Sequence, residues 1–128
     1  MTTSGRLSII IHDGAFGRVH YALVLASAAA AIGRPVTLFF TMAATAALQA
    51  DGDWGRGEDA ALRGRGVAGF EELLDACAAL KVRFLVCEAG LKAMDLNFET
   101  LRDDLPLERA GAVTLLNEAT ADGAMLFV

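Results

Sequence analysis

Cys87 is the residue in this chain best placed by its neighbours to do chemistry. It directly follows residues 82–86, VRFLV, a run of strand formers that is apolar except for Arg83. It directly precedes Glu88, Ala89, Gly90, Leu91 and Lys92, which are helix formers apart from Gly90. A strand that ends on a cysteine and turns into a helix sets the sulfur at the C-terminal edge of a sheet. Open α/β sheets bind their ligands at that edge. The positive end of the helix favours thiolate over thiol, and the thiolate is the nucleophile. Glu88 opposes a thiolate beside it. Lys92 favours one if its side chain leans back toward the helix start. The alternative is that Cys87 only packs, as free cysteines often do.

His12 and Asp13 close the first apolar run and share an edge with Cys87 on this reading. A Cys–His pair makes an activated nucleophile. Asp13-Gly14 equally suits a plain turn that opens a helix. His12, Asp13, Glu88 and Lys92 are therefore the candidates to line a substrate site around Cys87. His20 falls inside a helix and is assigned no role. The other cysteine, Cys77, recurs with Phe70, Leu73, Leu74 and Leu80 at helical spacing, which places it on a packed face. There is no CxxC and no Cys/His cluster at metal-ligand spacing, so no metal is expected.

The elements that must position these residues alternate. Strands are expected over residues 6–12, 36–40, 82–86 and 124–128, with at best a short further one over 111–113. Helices are expected over 15–32, 69–80, 114–120 and after Cys87. Gly33 and Pro35 end the first of these in the usual order. A short helix over 42–48 is expected to take Thr41 as its cap. Strands without polar alternation suit a parallel sheet covered on both faces. The first strand, helix and strand form a right-handed crossover. The expected fold is a three-layer α/β/α sandwich with a mostly parallel sheet of about five strands, in one domain over 1–128.

Residues 49–67 break the pattern. They are rich in glycine and charge and contain the single tryptophan, Trp54. We read them as a long mobile or functional loop. Arg56, Arg63 and Arg65 are anion candidates there, beside the simpler reading of a solvated loop. Gly64 to Gly69 matches GxGxxG but follows this charged loop and not a strand, so it lacks the context of a dinucleotide fingerprint.

A chain of 128 residues with 55% hydrophobic content can bury a core without disulfides or metal. The net charge of -5 argues against a dedicated nucleic-acid binder, which needs a basic face. The longest largely apolar run, residues 19–32, is short for a bilayer span. The first residues carry no signal-peptide pattern. The expectation is a soluble, intracellular protein with reduced thiols and no membrane partner.

Two stretches resemble a known family. Phe39-Phe40-Thr41-Met42 is similar to a pattern near FFTFWG. Residues 86–96, VCEAGLKAMDL, are similar to one near ACQMSMDLMGI, with a methionine seven positions after the cysteine. Both patterns belong to a branch of the DsrE/DsrF-like sulfur-relay family. Residues 70–74 also resemble the helix before its cysteine strand, and 126–128 its terminal strand. The chain departs from the pattern at Lys92, where the family has an acid, at Asp95, where it has glycine, and at Ala89-Gly90, which replace Met-Ser. The resemblance implies an α/β sandwich that forms homo-oligomers, commonly trimers or their multiples; the missing signal peptide and membrane span give the expectation of a cytoplasmic location. The resemblance also implies a cysteine that takes sulfur from a donor, holds it as a persulfide and passes it to an acceptor protein. That chemistry runs by thiol exchange and calls for no cofactor. The competing expectation is a non-catalytic oligomeric module that binds a small anion or a partner.

Overall fold

Five short runs become strands: β1 Leu7–Ile11, β2 Val36–Phe40, β3 Arg83–Cys87, β4 Leu107–Ala110 and β5 Ala124–Phe127. The computed structural model describes residues 5–128. The strands form one sheet in the order β4-β3-β2-β1-β5, and every pairing is parallel. Five helices accompany them: α1 Phe16–Ala31, α2 Arg56–Gly64, α3 Phe70–Ala79, α4 Glu88–Ala93 and α5 Ala112–Glu118. A 3₁₀ helix, Met42–Leu48, follows β2, and a shorter one, Phe98–Thr100, precedes β4. Helices lie on both faces of the sheet, which makes the three-layer α/β/α fold.

The two faces are covered unequally. Ile9, Ile11, Leu38, Phe40, Phe84 and Val86 project to the side of α1 and α3, where Val19, Leu23, Leu74 and Cys77 meet them in the main core. On the other face Phe39, Leu85, Cys87 and Ala110 form a smaller apolar cluster under Leu115 of α5. That helix is held by Arg83, whose guanidinium donates two hydrogen bonds of 2.6 Å to the Glu118 carboxylate.

Three elements differ from the sequence expectation. Residues 49–67 hold α2 instead of an unbroken loop. Glu58 and Asp59 sit in its first turn and Arg63 in its last, so the charges that resembled a solvated loop complement the helix dipole. Asp59 also accepts the Phe70 N–H at 2.7 Å and ties α2 to the start of α3. Trp54 packs its ring between Phe16 and Phe70, at centroid distances of 5.3 and 5.0 Å. The fourth strand is Leu107–Ala110 and not 111–113. Its Glu108 and Arg109 look unlike a strand because β4 is an edge, where charge is tolerated and guards against further pairing. Gly111 then serves as the N-cap of α5, which starts and ends two residues earlier than expected.

Candidate functional site

Register builds the site. Ile11 pairs with Phe40, and Phe40 with Val86. The next residue of each strand, His12, Thr41 and Cys87, therefore falls in one row at the C-terminal edge, with Cys87 paired to Ala110. Alternation places this row on the α5 face. β1 and β3 are separated by β2, so His12 and Cys87 stand roughly 10 Å apart along the edge.

Cys87 ends β3 and is the N-cap of α4. It is 8% exposed, and its Sγ accepts the Gly90 N–H at 3.4 Å. A donor aimed at the sulfur binds a thiolate more strongly than a thiol. Gly90 is buried where α4 meets the turn after β2. A Cβ there would stand 2.5 Å from the Met42 nitrogen and 2.7 Å from the Thr41 hydroxyl oxygen. Glycine is thus what lets α4 lie flush against that turn. Met42 takes a left-handed φ of 50° at the same place.

The other candidates divide. His12 is exposed, and its ring packs on Phe127 of β5 with centroids 5.5 Å apart, on the side of β1 away from β2 and β3. It is not brought to Cys87. Asp13 accepts the Ala15 N–H at 2.8 Å and faces Arg18 at 3.6 Å, which is the work of a turn. Glu88 and Lys92 are exposed on α4 and border a cavity of about 150 Å³ with Leu91, Phe98, Glu99 and Arg109. Arg109 lies 4.8 Å above the Phe98 ring and donates to Glu99 at 2.9 Å. Cys87 does not line that cavity. Arg56 and Arg63 pair with Asp53 and Asp59 at 2.9 and 3.0 Å.

Thr41 stands in the same edge row as Cys87, although its sequence position reads as a helix cap. It does stand at the N-cap of the 3₁₀ helix, but its hydroxyl makes no capping bond. What places it beside Cys87 is the strand order, since β2 and β3 are neighbours; the FFT run alone does not reveal it.

Cys77 has a different environment. It is fully buried on α3, its Sγ reaches the Leu23 carbonyl at 4.0 Å, and burial pushes the thiol up to about 11. It stays protonated and inert near neutral pH. Among the described residues, no group of three or more His, Cys, Asp or Glu side chains is arranged to hold a metal ion. No described helix is long and apolar enough to cross a membrane.

Fold and edge together define a doubly covered parallel α/β protein with a cysteine where its central strands end. The family model for the DsrE/DsrF-like family matches residues 7–127, and the chain belongs to that family. Among solved structures, a protein of unknown function from Methanobacterium thermoautotrophicum has a similar fold. Its TM-score is 0.63 at 17% identity, over 97% of this chain and 99% of that one. No curated protein matches the chain.

Proposed function

We propose that this protein carries sulfur on Cys87. Membership of the DsrE/DsrF-like family supports a sulfur-relay role, and the FFT run and the Cys87–Met94 spacing favour the branch whose patterns they resemble. The observation that carries the reading is the sulfur of Cys87 at the end of β3, accepting the Gly90 N–H. The Cys87 thiolate attacks the outer sulfur of a donor persulfide, R–S–SH. The donor S–S bond breaks, R–S⁻ leaves, and Cys87–S–SH forms. An acceptor thiolate then attacks the outer sulfur, takes it as its own persulfide and releases the Cys87 thiolate. Electrons balance without a further oxidant. The chemistry suits a compartment that keeps thiols reduced.

The reading extends to assembly. Val113 and Leu116 on α5 are 73% and 60% exposed, and Phe127 on β5 is 70% exposed. These apolar side chains lie toward the thinly covered face, and a homo-oligomer, a trimer or a multiple of it, would remove them from water.

The low exposure of Cys87 and its apolar neighbours Phe39, Leu85 and Leu115 favour a second reading, an oligomeric binding module in which Cys87 only packs. One experiment separates the two. The protein is incubated with inorganic polysulfide and weighed intact. The carrier gains sulfur that a reductant removes, and Cys87→Ser gains none. An unchanged mass, or equal uptake by Cys87→Ser, overturns the carrier reading.

A further inference from the structure

The two edges of the sheet are unlike. β4 closes one side with Glu108 and Arg109 exposed, and charges on an edge discourage a further strand. β5 closes the other with Ala124, Met125, Leu126 and Phe127, all exposed, and no side chain from Gly123 to Val128 is charged. Met125, Leu126 and Phe127 are 42, 37 and 70% exposed. An uncharged, apolar edge strand is what folded proteins avoid unless another strand covers it.

The backbone specifies what can cover it. Ala124 and Val128 turn their N–H groups inward, to the Arg6 and Ile10 carbonyls at 3.0 and 2.8 Å. Leu126 lies between them in the same parallel register and also faces β1 with its polar groups. Alternation therefore turns the N–H and C=O groups of Met125 and Phe127 outward, where no described residue pairs with them. Another extended backbone matches these donors and acceptors, and an antiparallel copy of β5 matches them with itself. With a two-fold axis at Leu126, Met125 exchanges both its bonds with Phe127 of the second copy, and Phe127 does so with Met125. The side chains agree. Met125 then lies beside Phe127 of the second copy on the α5 face, and Leu126 meets its own copy on the other face. No charge is set against its like, although the chain carries a net -5. Pairing β5 with β4 instead would run head to tail, leave an edge free on every assembly and meet the charges of β4.

We infer that the outer edge of β5 is where a second copy of this chain adds its own β5, antiparallel, so that the two sheets become one across a two-fold axis at Leu126. The axis stands normal to the sheet. Both α5 helices therefore lie on one side, and the C-terminal edges that carry Cys87 point in opposite directions. This deepens the homo-oligomer reading and rests on it for the occupant. The α5 face stays free for a separate contact, and a three-fold contact there, joined to this two-fold one, gives a multiple of a trimer.

The first test removes one outward donor. Met125→Pro deletes an N–H that β1 does not use, and proline is tolerated on an edge strand. By light scattering at micromolar concentration, the parent is expected to contain an even number of chains and Met125→Pro half that number. The second test reads the axis. Leu126→Cys, with Cys77→Ala and Cys87→Ser, is oxidised mildly and is expected to form a disulfide-linked dimer, because position 126 meets its own copy in a close, non-hydrogen-bonded pair. Ala124→Cys in the same background is expected to stay uncrosslinked. A Met125→Pro protein that keeps the parent's mass overturns the inference, as does a Leu126→Cys protein that crosslinks no better than Ala124→Cys. Should Met125→Pro not fold, the crosslinking decides alone. A parent trimer overturns the edge contact and leaves the homo-oligomer reading standing. A parent of single-chain mass overturns both and leaves the edge to a strand of another protein.

Discussion

A carbon added to Gly90 would stand 2.7 Å from the hydroxyl oxygen of Thr41. Two backbones touch there, and neither can give way as a flexible side chain would. Gly90→Ala should therefore push α4 off the turn after β2 and cost about 1–3 kcal/mol of stability. It should also disturb the N–H that caps Cys87 and lower the alkylation rate near neutral pH. Urea denaturation and a timed alkylation measure both. A variant as stable and as reactive as the parent would contradict this account of Gly90.

Arg83 and Glu118 should act as the fastening of α5. Their paired 2.6 Å hydrogen bonds join the sheet to a helix that has no side-chain cap at its start. Both side chains are partly exposed, so we expect Glu118→Gln to cost only about 1 kcal/mol. The sharper effect should be local. Amide exchange in residues 112–118 should quicken, because Leu115 alone then anchors the helix. Unchanged exchange there would show that the pair is ornamental.

Cys77 makes stability fall at high pH. Burial lifts its thiol from an ordinary 9.0 to about 11, so the folded chain keeps a proton that the unfolded chain releases. The contribution is whole below about pH 9 and is lost as pH rises toward about 11. It is on the order of 3 kcal/mol. Denaturation between these pH values should lose less stability in Cys77→Ala than in the parent. Parallel curves would refute the assignment.

Assembly should depend on the thinly covered face. Light scattering at micromolar concentration should give a mass above that of one chain, and Leu116→Lys with Phe127→Lys should lower it. A parent of single-chain mass would remove the proposal.

Much of the fold was legible because its buried strands are continuous apolar runs. VTLFF at Val36–Phe40 is buried at every position and could be read residue for residue. β4 was misplaced because an edge strand can carry Glu108 and Arg109 without burying them. α2 was hidden because none of its residues is fully buried, so no apolar stripe announced it. Cys87 at a strand end was legible from local sequence. The separation of His12 from it was not, because that depends on β2 lying between β1 and β3. The hydroxyl of Thr41 was assigned to a cap, the commoner use of threonine before a helix, and only the completed backbone shows the cap unmade.

The pairing of β1 with β5 also governs how the molecule is assembled in time. β1 finds one neighbour, β2, across a single helix, but the other lies at the far end of the chain. The bond from the Arg6 N–H to Thr120 spans 114 positions. Closing such a loop costs entropy before any contact rewards it, so this join should come late in folding. Until then the outer side of β1 is an open strand edge, and Leu7 to Ile10 are without β5 beside them. Until β5 docks, β1 should stand as the outer strand of a four-stranded sheet, an edge open to other chains, which its pairing with residues 124–127 closes.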